Sequence, residues 1–301
     1  MGVHVNQTRL RMKIVYLDHH VLVDQSGWPI IKALSEAEEI RVVISSWSIR
    51  EIVQADQERE ERAAFLESIR PLFVHDMLIL QRLETVSFLN ESLFGGTRIP
   101  FSMFSNTFAD FLRMNFFVKV PSGYSVVDYF RSEGSVAGDI VDMGKNEHVE
   151  ARRALLADPV GARQGEDQIN HVQMATLIPR VDARGQPWEP SDVAEILVFC
   201  HHRRRDLLRA CPAIFAEDAL FRVRLRDQRR KPKTSDTADL FHSVAALAYA
   251  DVFVTADGWA NDRARETKAA IAQAGLRAAD VLRSMTQLVE QIATLRKPVG
   301  N

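Results

Sequence analysis

Short β-branched runs that end abruptly in an acid constrain this chain more than any other feature. Lys13–Leu17 (KIVYL) is followed at once by Asp18, and near the other end Val252, Phe253 and Val254 lead into Thr255 and Asp257. Runs this short and this uniformly apolar suit strands buried on both faces, as in a parallel sheet. A second strand signal, RVVI at 41–44, follows a helix predicted over 28–39. Ser45, Ser46 and Ser48 then offer N-cap oxygens to a helix carrying Ile49, Ile52 and Val53, which puts Glu51 in or near its first turn. A strand, helix, strand, helix order requires long right-handed crossovers, and hence parallel pairing.

The α/β signal returns late. The segment SDTADLFHSVAALAYADVFVTAD, 235–257, predicts a helix over 237–250 and a strand over 252–255. A helix over 259–274, a stop at Gly275, a short strand at 279–282 and a last helix over 285–295 complete the pattern. Between the two ends the character changes. Helical signal runs to about 90, and 94–138 is rich in Phe, Ser, Asn and Gly. Its densest part, FSMFSNTFADFLRMNFF, has the helical spacing of a packed core more than that of a base-stacking surface. A polar helix is expected over 139–158 and another over 191–209, separated by a loop with Pro179, Gly185, Pro187 and Pro190. The expected organisation is an α/β domain in two halves, 1–75 and 215–301, interrupted by a mainly helical insertion over 76–214.

At 301 residues, with 46% apolar and 26% charged residues, the chain can bury a real core, which excludes wholesale disorder. No apolar run approaches the roughly 20 residues that span a bilayer, and MGVHVNQTRLRMK lacks the apolar core of a secretory signal, so the expectation is a cytoplasmic protein with no membrane partner. Cys200 and Cys211 are too few for a disulfide framework or a four-thiolate zinc site and are expected to be buried or idle. A net charge of −2 argues against indiscriminate coating of nucleic acid, yet between Arg203 and Lys233 eleven Lys or Arg stand against four acids. Within it Arg222, Arg224, Arg226, Arg229, Arg230, Lys231 and Lys233 are candidate nucleic-acid contacts; a solvated helix face explains such a run equally well.

Carboxyl ends of parallel strands are where ligands gather, so Asp18 and Asp257 are expected to meet. Asp236 and Asp239, three apart at a helix start, share one face, and Glu51 comes from the second crossover. Such acids would repel one another strongly unless a cation neutralised them, and Mg²⁺ or Mn²⁺ is the natural choice for oxygen donors without thiolates. Capping and the helix dipole offer a plainer origin for Asp236, Asp239 and Glu51, and a poorer one for Asp18 and Asp257.

In this order the acids resemble those of the PIN domain nucleases: an acid after the first strand (Asp18), a Glu in the helix after the second (Glu51), an Asp opening a later helix (Asp239) and T-x-D after a later strand (Thr255, Asp257), with Asp236 a candidate fifth. The resemblance covers the two ends of the chain. It implies a three-layer α/β/α fold with a central parallel sheet, and metal-dependent hydrolysis of phosphodiesters, most often in RNA. Asp18, Asp236, Asp239 and Asp257 would hold Mg²⁺ or Mn²⁺, and Glu51 would complete the metal shell or orient the attacking water. Thr255 would bond a ligand carboxylate or the phosphate, or simply end its strand, and His242 is read as structural. The sequence departs from the family where a small hydroxyl residue and Asn usually follow the first Asp: here stand His19 and His20, His20 either meeting phosphate or water or merely packing. The resemblance further suggests a toxin role, a homodimer or an inhibitory protein partner, with the insertion serving substrate choice, self-inhibition or dimerisation. Two rivals are a phosphatase of the haloacid dehalogenase type, which needs an Asp where His20 stands, and a catalytically weak PIN-like module that binds RNA or protein.

Overall fold

A computed structural model describes residues 12–54, 58–116, 118–132, 157, 189–226 and 235–296. Six strands form one sheet: β1 (Lys13–Leu17), β2 (Ile40–Ile44), β3 (Leu72–Val74), β4 (Phe104–Ser105), β5 (Val252–Val254) and β6 (Asp280–Leu282). Their spatial order is β4-β3-β2-β1-β5-β6, parallel throughout except for the β3–β4 pair. From β1 the chain builds outward through β2 and β3 on one side, then returns to add β5 and β6 on the other. The order therefore reverses between β1 and β5, the place where an open parallel sheet leaves a crevice at its carboxyl end.

The helices among the described residues are α1 (His19–Leu22), α2 (Trp28–Glu36), α3 (Ser46–Gln54), α4 (Arg59–Ser68), α5 (Met77–Ser92), α6 (Phe108–Phe116), α7 (Val126–Ser132), α8 (Pro190–His202), α9 (Arg204–Ala210), α10 (Pro212–Arg226), α11 (Ser235–Tyr249), α12 (Gly258–Gln273) and α13 (Met285–Arg296). They cover both faces, because alternate strand residues point opposite ways. Val15, Leu17, Val42, Ile44, Val252 and Val254 pack with α2, α4, α6, α7 and α13 on one face. Tyr16, Val43, Val74, Phe253 and Val281 pack with α5, α10, α11 and α12 on the other. Each fully buried aliphatic side chain here contributes roughly 1.5–3 kcal/mol, so two such faces suffice to hold the sheet.

Local signals account for the element ends. Ser45 Oγ accepts the Ser48 N–H at 3.2 Å and so caps α3. Gly275, at φ +75°, donates its N–H to Ala272 while the Leu276 N–H bonds Ile271, the Schellman closure that stops α12 as the sequence predicts. Two strands depart from the expectation of continuous helix to about 90 and of a helical middle. β3 intervenes at Leu72–Val74, and β4 lies inside the aromatic run. Residues expected in the insertion thus supply the sheet's antiparallel edge, and Phe108, Phe111, Leu112, Val126 and Phe130 join the core around β1 and β2. The stacked and tilted rings of Phe73, Phe108 and Phe111 show that the aromatic run packs. The helix expected over 139–158 lies outside the described residues apart from position 157. Among the described residues, no helix is long and apolar enough to cross a membrane.

Candidate active site

Asp18 begins where β1 stops. It is only 5% exposed; Oδ1 accepts the His19 N–H at 2.8 Å and Oδ2 accepts the Thr255 hydroxyl at 2.7 Å. Thr255, fully buried at the end of β5, therefore bonds a carboxylate across the point where the strand order reverses. Asp257 follows on the same loop and caps α12, Oδ1 accepting the Ala260 N–H at 2.8 Å. Both strand-end acids thus cap helices with one oxygen, so capping accounts for more of Asp18 and Asp257 than their sequence positions suggest.

Asp239 lies in the second turn of α11, facing this end of the sheet. Burial, reinforced by the negative charges of Asp18 and Asp257, lifts its carboxyl to about 7, against the pull of His242 and Arg224. The acids expected to converge therefore do feel one another. Among the described residues, however, no three acidic, His or Cys side chains converge tightly enough to enclose an ion as they stand. Of Asp236 only the backbone, in the first turn of α11, is among the described residues.

Glu51 sits in the second turn of α3 rather than the first, because the helix starts at Ser46. Its Oε2 lies 2.9 Å from His242 Nε2 and 3.9 Å from His19 Nδ1, the second too long for a hydrogen bond. His242 is 1% exposed, and its Nδ1 stands 2.5 Å from the Tyr16 hydroxyl. Burial opposes charge on this ring, but Tyr16, Glu51 and Asp18 around it prevail and hold it well above the ordinary histidine value. His19 goes the other way: burial lowers it, only partly offset by Glu51. His20 is exposed and meets His19 edge to face.

Sequence reasoning passed over Tyr16. The signal was there, since a residue two before Asp18 on a strand shares its face.

The basic stretch fares differently from expectation. Arg222 bonds Asp218 at 3.0 Å, a carboxylate it shares with Arg204, and Arg203 bonds Asp206. Arg224 is 4% exposed and lies 5.0 Å over the Trp259 ring, so it is no solvated phosphate contact; its charge bears on Asp239 instead. The side chain of Arg226 and all of Arg229, Arg230, Lys231 and Lys233 lie outside the described residues. Cys200 and Cys211 are buried free thiols; burial pushes Cys200 up to about 11 and Cys211 higher still, as expected of idle cysteines.

No protein-family model, no curated protein and no solved structure matches this chain.

Proposed function

We propose that the chain is a metal-dependent nuclease of the PIN type, cutting phosphodiester bonds in RNA. The observation that carries this reading is the gathering of Asp18, Asp239 and Asp257 at the carboxyl end of β1 and β5, where the order of the parallel strands reverses. Asp239 is the sharpest part of it. A carboxyl lifted to about 7 by burial first and by two neighbouring carboxylates in addition is held in an unfavourable state that a hard divalent cation relieves. Oxygen donors without a thiolate nearby suit Mg²⁺ or Mn²⁺, held by Asp18, Asp239, Asp257 and Asp236. Such an ion, when bound, would polarise the scissile phosphate and acidify an attacking water.

The protein's own contributions are orientation and exclusion. Thr255 fixes one oxygen of Asp18, and the His19 N–H fixes the other, so that carboxylate cannot rotate freely. Glu51 is held by His242. A module that binds RNA or a protein partner without cutting is the second reading, which the helix-capping roles of Asp18 and Asp257 suit. Purified protein incubated with single-stranded and structured RNA in Mg²⁺ or Mn²⁺, beside EDTA controls and Asp18→Asn and Asp239→Asn variants, separates the two. Cleavage that needs the metal and both aspartates is expected. Metal-dependent cleavage that survives both substitutions would remove the site, and RNA binding without cleavage would favour the second reading.

A further inference from the structure

Glu51 and the aspartates differ in what already neutralises them. Both nitrogens of the His242 ring are engaged, Nδ1 at 2.5 Å from the Tyr16 hydroxyl and Nε2 at 2.9 Å from Glu51 Oε2. A carboxylate only accepts, so Nε2 carries a hydrogen. Tyr16 gives its own hydrogen to Ser45 Oγ at 2.7 Å, so its oxygen accepts from Nδ1 as well. The ring is an imidazolium whose charge is matched by Glu51. The chain of bonds also closes on itself: Ser45 caps α3, the helix that carries Glu51, so β1, α11 and α3 are tied together through buried groups. Asp239 has nothing comparable, since among the described residues no donor bonds its carboxylate.

A divalent cation approaching Glu51 would meet a fixed positive charge at hydrogen-bond distance from the same carboxylate, which repels it; approaching Asp239 it would meet the carboxylates of Asp18 and Asp257, with His242 and Arg224 felt there only through their charge and not through a bond to the carboxylate. About a fifth of the Glu51 side chain remains exposed, enough to reach a water, whereas His242 is sealed.

Resting on the nuclease reading, we propose that Glu51 is not a metal ligand: His242, braced by Tyr16, is a positioning residue that fixes the Glu51 carboxylate to hold the attacking water, and the aspartates alone bind the metal. Groups that orient a catalytic side chain in this way commonly account for about 10–100-fold in activity or affinity.

The test measures Mn²⁺ affinity by calorimetry and steady-state cleavage of a single-stranded RNA, using the full chain and five variants whose fold is checked by thermal melting. Glu51→Gln, nearly isosteric and partly exposed, is expected to keep its Mn²⁺ affinity within about threefold while kcat falls about 10–100-fold at unchanged KM. Asp239→Asn is expected to lose Mn²⁺ affinity by at least about tenfold. His242→Leu should lower kcat as Glu51→Gln does, His242→Gln should recover part of that loss because its amide still donates to Glu51, and Tyr16→Phe should fall between. Mn²⁺ binding weakened in Glu51→Gln as much as in Asp239→Asn overturns the inference, as does an unchanged kcat in His242→Leu. A wild type that neither binds Mn²⁺ nor cleaves RNA overturns the nuclease reading and this inference with it. A wild type that does both, with Glu51→Gln losing the metal, overturns the inference alone.

Discussion

Glu51 and Glu84 are both carboxylates bonded by residues of α11, yet one is given a cation and the other is not. Glu84, in α5 and 1% exposed, accepts the Tyr249 hydroxyl and the N–H of Ala213 at the start of α10. These donors are neutral, and burial prevails over them, lifting the Glu84 carboxyl to about 7. Glu51 instead faces the His242 ring, itself held well above its ordinary value. The difference is between a sealed group that bridges three helices through neutral donors and one given a countercharge at the edge of solvent. Buried polar networks of either kind are costly unless satisfied, so the presence of a cation in only one of them marks the end of the sheet where charge is used.

The largest expected effect separates the two networks by activity. Asp239→Asn should lower metal-dependent RNA cleavage by about 100-fold or more, since it removes a charge that faces Asp18 and Asp257. Glu84→Gln, whose partner Tyr249 ends α11 while Asp239 lies near its start, should leave cleavage within about twofold of wild type. Initial rates on one labelled RNA settle both, and a Glu84→Gln loss matching that of Asp239→Asn would erase the distinction.

Next in size is a pH effect on stability. Glu84 has its folded carboxyl near 7, above the ordinary 4.5. Below about 4.5 both folded and unfolded chains hold the proton and nothing is gained or lost. As pH rises towards 7 the unfolded chain releases it first, so stability falls, by roughly 3 kcal/mol in all, and the loss levels off once the folded group titrates too. Glu84→Gln cannot ionise and can still accept from Tyr249 and Ala213. Urea midpoints at pH 4.5, 5.5, 7 and 8 should therefore show the variant gaining on wild type across that window and no further above it. Asp239 titrates in both proteins and cancels in the difference. Parallel curves would mean that Glu84 is not held as described.

The two networks were unequally legible in the sequence. β1, β2, β5 and β6 each announce themselves as an apolar run, and two of them stop at an acid, so Asp18 and Asp257 could be placed at strand ends from the residues alone. β3 and β4, at three and two residues, are too short to show a period of two, and their pairing is set by the neighbouring strand rather than by their own composition. The helix stop at Gly275 was legible because a positive φ favours glycine. The partners of the carboxylates were not. His242 meets Glu51 across 191 residues and Tyr249 meets Glu84 across 165, separations that carry no local signal. A histidine three after Asp239 on a helix does not disclose which residue of the facing helix it meets. In the described part of the basic stretch, counting charges could not show the acids that fold back on them: Asp218 takes up both Arg204 and Arg222.

Smaller effects compare the two tyrosines. Tyr16→Phe leaves Nδ1 of His242 and Ser45 Oγ without their shared partner, and Tyr249→Phe removes a donor from Glu84; each should cost about 1–3 kcal/mol by urea denaturation. They differ in pH dependence. Without the Tyr249 hydroxyl, which holds Glu84 down, that carboxyl rises further, so the loss of stability should extend to higher pH than in wild type. Tyr16→Phe leaves Glu84 untouched and weakens the hold of His242 on its proton instead, so its deficit against wild type should stay constant in the acid range and narrow only as pH rises past the ordinary histidine value.

The smallest effect lies at the surface, where the contrast between matched and unmatched charge fades. Arg203 and Asp206 bond at 2.6 Å but are each about half exposed. Water solvates either partner nearly as well alone, so Arg203→Ala should cost less than about 0.5 kcal/mol. Arg224 provides the internal control, because it is buried against Trp259 and its charge bears on Asp239. Arg224→Met keeps much of the volume while removing the charge, so less opposes the lift on Asp239 and that carboxyl should move above 7. Following the Asp239 carboxyl by carbon NMR in metal-free protein tests this directly: an upward shift in Arg224→Met with none in Arg203→Ala ties the buried arginine to the acid site, and equal titration in both would detach it.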